Sequence, residues 1–335
     1  MTPKERAIAA LNLQTPDQVP TFELGFTLAP EMFGINLYPS DLGREAIKQL
    51  SAADKDRRLN EVAIDIVSVF KELEYCIIPG HFGAGYVDGT YVSPERKFLF
   101  EKVRELAGGQ QMLGYPADGT FAIAGRSAIQ SFAYRAVNDP AGLHAEALQR
   151  MDIAIERNKN LAEAGVEVAF LTADYCDNMG PFLSPELFEV FIQPYLAKII
   201  EECKKAGMYT IKHSDGNIMP ILRQLVDCKP HALHSLDPAA GVDIKEVKAL
   251  VGHKVALCGN VSCTALQSGT DEEVIASAEY ALTHGKPGGG YIFCTSNLPY
   301  RGMPPHRYHM ILDVWQRMRD YGNTNSTGDP QSPVD

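Results

Sequence analysis

Short apolar runs that end in polar clusters recur through the C-terminal half of the chain. Residues 169–174 lead into a cluster that contains Asp177, and residues 208–212 lead into one that contains His213 and Asp215. Residues 232–235, 255–258 and 290–293 are followed by polar clusters in the same way, and helix-length stretches separate the runs. The alternation of strand, polar loop and helix is typical of a (β/α)8 TIM barrel, in which the C-terminal strand ends carry the chemistry.

The regular alternation begins at residue 140. Apolar positions with helical spacing predict helices, and short continuous apolar runs predict buried strands. The predicted helices are 143–164, 185–206, 219–226, 244–251, 271–284 and 305–321, and the predicted strands are 166–172, 209–213, a segment that ends at His234, 255–259 and 290–295. Ser184 and Thr270 are suited to cap the helices that follow them.

The N-terminal part of the chain is less regular. Thr2 followed by Pro3 predicts the start of a helix. Further predicted elements are a first strand at 19–26, a helix at 44–60, a second strand at 62–70, a hairpin at 85–94 and a strand at 120–125. The barrel is therefore expected to carry an N-terminal helical extension and an inserted irregular region with a hairpin.

The length of the chain, 335 residues, is sufficient for one barrel with such additions. Residues 1–322 are expected to form a single domain. Residues 323–335 are polar and rich in Pro and Ser, a composition typical of a disordered tail.

The charge of the chain limits its partners. Lysine and arginine total 31 and aspartate and glutamate total 42, which gives a net charge of −11. This balance argues against nucleic acid or an anionic membrane as the main partner. No run approaches the about 18 apolar residues of a membrane span. The seven cysteines form no CxxC motif and the first residues form no apolar signal core, so a cytoplasmic location is expected.

Three residues form a candidate metal site. His213 and Asp215 alternate along an extended segment, so their side chains point to one face. Cys294 lies at the end of a later strand, above the same barrel mouth. An imidazole, a carboxylate and a thiolate would bind zinc with one position left open for substrate. In the structural alternative, His213 forms hydrogen bonds within the barrel, Asp215 caps a helix and Cys294 fills the core.

Acidic and histidine side chains at other strand ends are candidates for catalysis. Asp174 is suited to act as an acid, a base or a carboxylate that orients a cation. Asp177 is a candidate for substrate binding, or it caps the turn before Pro181. His234 and Asp237 end another strand and are catalytic candidates, although Asp237 before a proline also fits a turn.

The remaining candidates are expected to bind substrate. Arg126 is suited to hold a carboxylate with two hydrogen bonds, or it forms a surface ion pair. Asn260, after Gly259, either lies close to a ligand or forms a turn. Asn297 begins a Pro- and Gly-rich segment, 297–304, that is expected to select the substrate together with residues 75–126. The chain contains no nucleophile elbow, Walker loop or dinucleotide motif.

Several segments together resemble the uroporphyrinogen decarboxylase superfamily. They are residues 1–7, 16–20, 180–188, 213–217 and 259–260, and the resemblance extends to Tyr321. It implies a (β/α)8 barrel with the activity of either a decarboxylase or a corrinoid-dependent methyltransferase. Decarboxylases of this superfamily are often dimers, so the resemblance allows a homodimer.

The two activities differ in their motifs. The decarboxylases carry an Arg-Gln-Ala-Gly-Arg segment that holds propionates, whereas this chain has Glu23-Leu24-Gly25-Phe26-Thr27 there. The methyltransferases bind zinc through His-x-Cys and a later Cys. His213 and Cys294 match the outer two ligands, and Asp215 replaces the middle one. A carboxylate donates less charge than a thiolate, so the zinc would be a stronger Lewis acid. If Asp215 is not a ligand, either Glu23 or Asp174 replaces it or the site holds no metal. Glu23 is otherwise expected to contact substrate.

The leading hypothesis is a zinc-dependent methyltransferase that transfers a methyl group from an aryl methyl ether, a methylated amine or a betaine to the cobalt of a corrinoid protein. The second hypothesis is a decarboxylase-like lyase with Asp174 as its polar centre and Arg126 as its carboxylate clamp. The third is a protein without catalytic activity that binds a tetrapyrrole or corrinoid, since one barrel fold supports many functions.

Overall fold

The computed structural model describes residues 1–122 and 126–322, with the backbone alone for Arg126. The predicted disordered tail, 323–335, lies outside the described residues.

In the described residues, seven parallel strands form the main sheet. In order across the sheet they are β1 (Ile77–Pro79), β4 (Met112–Pro116), β5 (Val168–Leu171), β8 (Tyr209–Ser214), β9 (Ala232–Ser235), β10 (Ala256–Val261) and β11 (Tyr291–Thr295). Two short antiparallel hairpins lie outside it, β2 (Val87–Asp88) with β3 (Tyr91–Val92) and β6 (Cys176–Asp177) with β7 (Gly180–Pro181).

The segment around Thr21 closes the sheet into a barrel. Thr21 forms parallel bridges with Tyr75, next to β1, and with Phe293 of β11. The backbone N–H of Cys76 donates to the Thr21 carbonyl oxygen over 2.8 Å, and that of Phe293 donates to the Pro20 carbonyl over 2.9 Å. The predicted first strand at 19–26 therefore takes its place between the edge strands, although its ladder is limited to Thr21. The fold is a (β/α)8 barrel, as predicted.

Helices surround the barrel. They are α1 (Pro3–Leu11), α2 (Ala29–Phe33), α3 (Ala52–Glu72), α4 (Pro94–Ala107), α5 (Arg126–Asn138), α6 (Pro140–Glu163), α7 (Pro185–Phe191), α8 (Gln193–Lys205), α9 (Leu222–Asp227), α10 (Ile244–Val251), α11 (Cys263–Ser268), α12 (Asp271–Gly285) and α13 (Pro305–Met318). Short 3₁₀ turns lie at Ser40–Leu42, Ala46–Gln49, Met219–Ile221 and Pro238–Ala240. In the described part of the chain, no helix is long and apolar enough to cross a membrane.

Two predicted strands in the N-terminal half were wrong. Residues 62–70 belong to α3, whose buried positions Leu59, Val62, Ile66 and Val69 follow a helical period rather than strict alternation. Residues 120–122 are not a strand, because Thr120 donates from its backbone N–H and its hydroxyl to the Asp118 carboxylate and so forms a turn. Residues 123–125, the rest of that predicted strand, lie outside the described residues.

Aromatic side chains fill the barrel interior. Phe22, from the closing segment, stacks on Phe170 of β5 with the ring centroids 5.9 Å apart, and it also contacts the His234 ring at 6.0 Å. All three side chains are almost completely buried. This packing joins the closing segment to the opposite side of the barrel beneath the strand ends.

The buried Glu23 joins the same segment to α13. Its carboxylate accepts hydrogen bonds from the Thr295 backbone N–H at 3.0 Å, the Thr295 hydroxyl at 2.6 Å and the Tyr308 hydroxyl at 3.4 Å. Burial raises the pKa of Glu23 to about 8, although these hydrogen bonds favour the ionised form. Glu23 therefore forms a polar contact inside the barrel wall, between the closing segment, β11 and α13.

Replacement of Phe170 by alanine should lower the free energy of unfolding by about 3–5 kcal/mol, because it removes a buried ring and leaves a cavity. Urea unfolding of the variant and the wild type measures this loss. Leu148→Ala, on an exposed position of α6, is the control and should change little. An equal loss in both variants would contradict the role given to the Phe22 and Phe170 contact.

The stability of the protein should contain a term that falls as the pH rises from about 4.5 to about 8, because unfolding releases the Glu23 proton in this window. Its slope is about −1.4 kcal/mol per pH unit. Glu23→Gln should remove this term, and unfolding measured across the window tests it. Glu279→Gln, an exposed change on α12, should keep the wild-type slope. An unchanged slope in Glu23→Gln would mean that Glu23 is ionised in the folded protein.

Candidate functional site

Three side chains bring potential metal ligands together at the carboxyl ends of β5 and β8. His213 is the penultimate residue of β8, Asp215 follows that strand, and Asp174 follows β5. The His213 Nε2 atom lies 3.5 Å from an Asp174 oxygen and 3.5 Å from an Asp215 oxygen. One ligand atom from each residue lies within 4.8 Å of the other two. The side chains of His213 and Asp215 therefore lie on the same side of the chain, as their alternation in the sequence predicted.

Hydrogen bonds hold the two aspartates in place. The Asp215 backbone N–H donates to Asp174 Oδ1 over 3.0 Å. The Ser235 hydroxyl donates to Asp215 Oδ1 over 3.1 Å, and the Asn297 amide donates to Asp215 Oδ2 over 2.6 Å. Burial, and then the nearby Asp174 carboxylate, raise the pKa of Asp215 to about 7. The negative charges of the two carboxylates are therefore not fully compensated within the cluster.

His234 contacts the side of His213 that faces away from the aspartates. The two Nδ1 atoms are 2.8 Å apart, and both rings are buried. Burial lowers the pKa of His213 to about 3, so this imidazole is neutral at physiological pH. When His213 Nδ1–H donates to His234, His213 Nε2 presents its lone pair to the two carboxylates. His234 is then the partner that fixes the ring and the tautomer, as the outer partners of metal-binding histidines do.

The donor set fits a divalent cation. Zinc binds imidazole nitrogen and carboxylate oxygen at about 2.0–2.2 Å, so tetrahedral ligand atoms lie about 3.4 Å from one another. The separations of 3.5 Å between His213 Nε2 and each carboxylate agree with this spacing. Roughly half of the Asp174 side chain and a third of the Asp215 side chain are exposed, so the cluster opens to the barrel mouth.

Cys294 is not part of this cluster. It is completely buried in β11, and burial, with Glu23 and Cys258 nearby, raises its pKa well above the ordinary value. In the described residues, the group of three potential ligands contains Asp174 in place of the predicted Cys294. The chain must continue three residues beyond Cys294, to Asn297, before a side chain reaches Asp215. The buried thiol therefore does not belong to the group of potential ligands that the described residues bring together.

The other sequence candidates have structural partners. Asp177 accepts hydrogen bonds from the backbone N–H groups of Met179 and Gly180 in the turn between β6 and β7. Asp237 accepts one from the Ala239 backbone at 3.0 Å, and Asn260 donates one to the Leu236 carbonyl at 2.8 Å. These contacts match the turns stated as structural alternatives for Asp177 and Asp237, whereas Asn260 lies in strand β10 rather than in a turn. The roles of all three residues in chemistry stay predictions.

Glu23 and Arg126 also lie apart from the three ligands. Glu23 contacts Thr295 and Tyr308 and does not belong to the group of potential ligands. Arg126 is the first residue of α5, and its side chain lies outside the described part of the structure. Its role as a carboxylate clamp stays a prediction.

Sequence reasoning missed a buried ion pair beside the cluster. Lys212 Nζ lies 2.9 Å from Asp118 Oδ2 and donates to the Ala173 carbonyl over 2.7 Å. Burial alone would raise the pKa of Asp118, but the Lys212 ammonium and hydrogen bonds from Thr120 and Ala173 hold it at about 2. A signal was present, because Lys212 interrupts an apolar strand directly before His213.

Comparisons with known proteins agree with this architecture. A family model described as uroporphyrinogen decarboxylase (URO-D) matches residues 120–317, more than half of the chain. Uroporphyrinogen decarboxylases from Shewanella halifaxensis and Shewanella pealeana are each 26% identical over 221 residues, which cover 61% of this chain and 58% of each relative. The chain therefore spans less than two thirds of the length of these curated relatives.

A solved structure described as a methyltransferase from Methanosarcina mazei shares the fold. It superposes with a TM-score of 0.66 at 18% sequence identity, over 95% of this chain and 99% of that one. The resemblance stated from the sequence motifs is thus confirmed for the family and for the barrel. This chain belongs to the uroporphyrinogen decarboxylase family of enzymes.

Proposed function

We propose that this chain is a methyltransferase that transfers a methyl group from a small methylated compound to the cobalt of a corrinoid carried by a separate protein. The observation that carries the proposal is the convergence of His213 Nε2 with the carboxylates of Asp174 and Asp215 at the barrel mouth. The barrel shared with a methyltransferase from Methanosarcina mazei supports it. A cytoplasmic location and a homodimer stay predictions within this proposal.

The three side chains would hold a zinc ion with a position open to the mouth. When bound, zinc supplies Lewis acidity to the oxygen or nitrogen atom that the methyl group leaves. Two carboxylates and one imidazole donate less charge than a thiolate-containing set. The ligands therefore favour an aryl methyl ether or a methylated amine, whose leaving atom has a lone pair for the zinc. A betaine, whose quaternary nitrogen has no lone pair, would bind the zinc through its carboxylate instead.

The remaining groups orient the ligands and manage the proton. The bond between the methyl carbon and the heteroatom breaks with its electron pair left on the heteroatom, and the reduced acceptor supplies the pair for the new bond. Asp174 is the more exposed carboxylate, and it would orient the donor or exchange a proton with the heteroatom. His234 is buried behind His213, so its role is to fix that ring. Asn297 and Ser235 hold Asp215.

Decarboxylation of a small acid is the second candidate, because the curated relatives are decarboxylases. The electrostatics of the mouth oppose a substrate with several carboxylates. Asp174 and Asp237 both act to raise the pKa of Asp215, which places three acidic groups close together. A polyanionic substrate would be repelled there unless other groups supply positive charge.

The metal content of purified variants tests the ligand set. Zinc bound near one equivalent in the wild type should be lost in His213→Ala and reduced at least about 10-fold in affinity in Asp174→Asn, because each removes a ligand. Elemental analysis of identically purified proteins measures this. Cys294→Ala is the matched control and should retain the metal, because Cys294 lies outside the cluster. Loss of zinc in Cys294→Ala but not in Asp174→Asn would restore the ligand set predicted from the sequence.

Methyl transfer can be followed with free cob(I)alamin as the acceptor. With 2-methoxyphenol, dimethylamine or glycine betaine as donor, the zinc-loaded protein should convert the absorption spectrum of cob(I)alamin to that of the methylated form. His213→Ala should lower the rate at least about 100-fold, because the leaving atom loses its Lewis acid. Release of carbon dioxide from a small acid, unaffected by chelator and without methyl transfer, would contradict the proposal in favour of the lyase.

A further inference from the structure

Asp174 lies beyond the backbone ladder that joins its strand to β8. The pairing of β5 with β8 ends at Leu171 and Lys212, whereas β8 continues to Ser214. Residues 173–175 therefore have no ladder to hold them beside His213. Apart from the hydrogen bond from the Asp215 backbone N–H to Asp174 Oδ1, the distance between the Asp174 and His213 side chains therefore depends on contacts made by neighbouring side chains.

The first such contact precedes both ligands in the sequence. Lys212, directly before His213, donates from Nζ to the carbonyl oxygen of Ala173, directly before Asp174, over 2.7 Å. Asp118 completes the contact, because its Oδ2 lies 2.9 Å from Lys212 Nζ and accepts the Ala173 backbone N–H at 3.0 Å. Both backbone polar atoms of Ala173 are thus bound by one buried ion pair.

The second contact follows both ligands. The backbone N–H of Tyr175, directly after Asp174, donates to the hydroxyl of Ser214, directly after His213, over 3.0 Å. The Tyr175 ring also lies beneath Lys212 Nζ, 4.0 Å from it. The neighbours of Asp174 on both sides are therefore joined to the neighbours of His213 on both sides.

The loop that supplies Asp118 is itself anchored. The Arg157 guanidinium donates to the Asp118 carbonyl over 2.6 Å, and the Asn158 amide donates to the Ala117 carbonyl over 2.9 Å, both from α6. Thr120 donates to Asp118 Oδ1 and forms a hydrogen bond with the Tyr175 hydroxyl. Because these hydrogen bonds fix the loop that carries Asp118, the Asp118–Lys212 ion pair is held in a single arrangement, as a positioning role requires.

We propose that Asp118, Lys212 and Ser214 are positioning residues that set the separation of Asp174 from His213 and, through it, the affinity of the site for a divalent metal. This inference rests on the proposed function, because it assigns the three residues to the metal site. The inference goes beyond that function, because it gives a positioning role to an ion pair that would contact neither the metal nor the substrate. Where the backbone ladder between β5 and β8 has ended, the ion pair holds Ala173, and with it Asp174, beside β8.

Zinc affinity, measured by competition with a chromogenic chelator, tests the proposal on the full chain. Ser214→Ala and the double variant Asp118→Leu with Lys212→Met should each bind zinc about 10–100-fold more weakly than the wild type, the range for outer partners of metal ligands. The double variant replaces the ion pair by apolar side chains, a change that buried pairs commonly tolerate. The visible spectrum of the cobalt(II)-loaded variants should also change, because the carboxylate ligand is displaced.

Lys4→Met is the matched control. Lys4 pairs with Glu167, which directly precedes β5, so the variant removes an ion pair at the amino end of the same strand. Zinc affinity and the cobalt spectrum should remain those of the wild type. A similar loss of affinity in this control would overturn the proposal, since it would trace the effect to general stability.

The outcomes separate the two proposals. If the wild type binds zinc through His213 and both Ser214→Ala and the double variant bind it equally well, the positioning role is overturned and the proposed function stands. If the wild type binds no zinc, both fail together. If the double variant does not fold, Ser214→Ala decides, because it removes one hydroxyl and leaves the ion pair intact.

Discussion

Parallel pairing of every strand in the main sheet is the constraint on which the site depends. Because all strands run in the same direction, their carboxyl ends lie on one rim, and the residues that follow β5, β8, β9 and β11 face one another there. The bridges of Thr21 to Tyr75 and to Phe293 close the barrel between its two edge strands. Asp174 and His213, 39 residues apart in the chain, come to the same rim for this reason.

Acidic side chains lie close together at the rim, and hydrogen bonds stabilise their negative charge only in part. Hydrogen bonds from the Asp215 backbone, Ser235 and Asn297 satisfy several carboxylate oxygens, yet the pKa of Asp215 is raised by burial and by Asp174. A neutral His213 adds a lone pair rather than a positive charge. Such unfavourable electrostatics are typical of functional sites, where a bound cation relieves them.

The sequence predicted the barrel because the period of its apolar positions changes regularly between helix and strand after residue 140. It also placed His213 beside Asp215, a local consequence of strand alternation. It failed for residues 62–70, where a helix buried along one side resembles an apolar strand. It failed for Cys294 because the stagger of strands in a barrel cannot be deduced from local spacing. It missed Asp118 because the contact of Asp118 with Lys212 joins residues 94 positions apart.

The charge of the rim distinguishes the two proposed chemistries. Zinc with two carboxylates and a neutral imidazole is formally neutral, so the loaded centre would not offset the negative charge of the neighbouring Asp237. A polycarboxylate substrate would therefore approach an acidic rim, whereas a methylated amine or ether would not be repelled. The segment Glu23-Leu24-Gly25-Phe26-Thr27 supplies no guanidinium at the first strand, and Glu23 is turned into the wall against Thr295 and Tyr308. The rim and the first strand thus disfavour the same substrate for independent reasons, which is why we propose methyl transfer rather than decarboxylation.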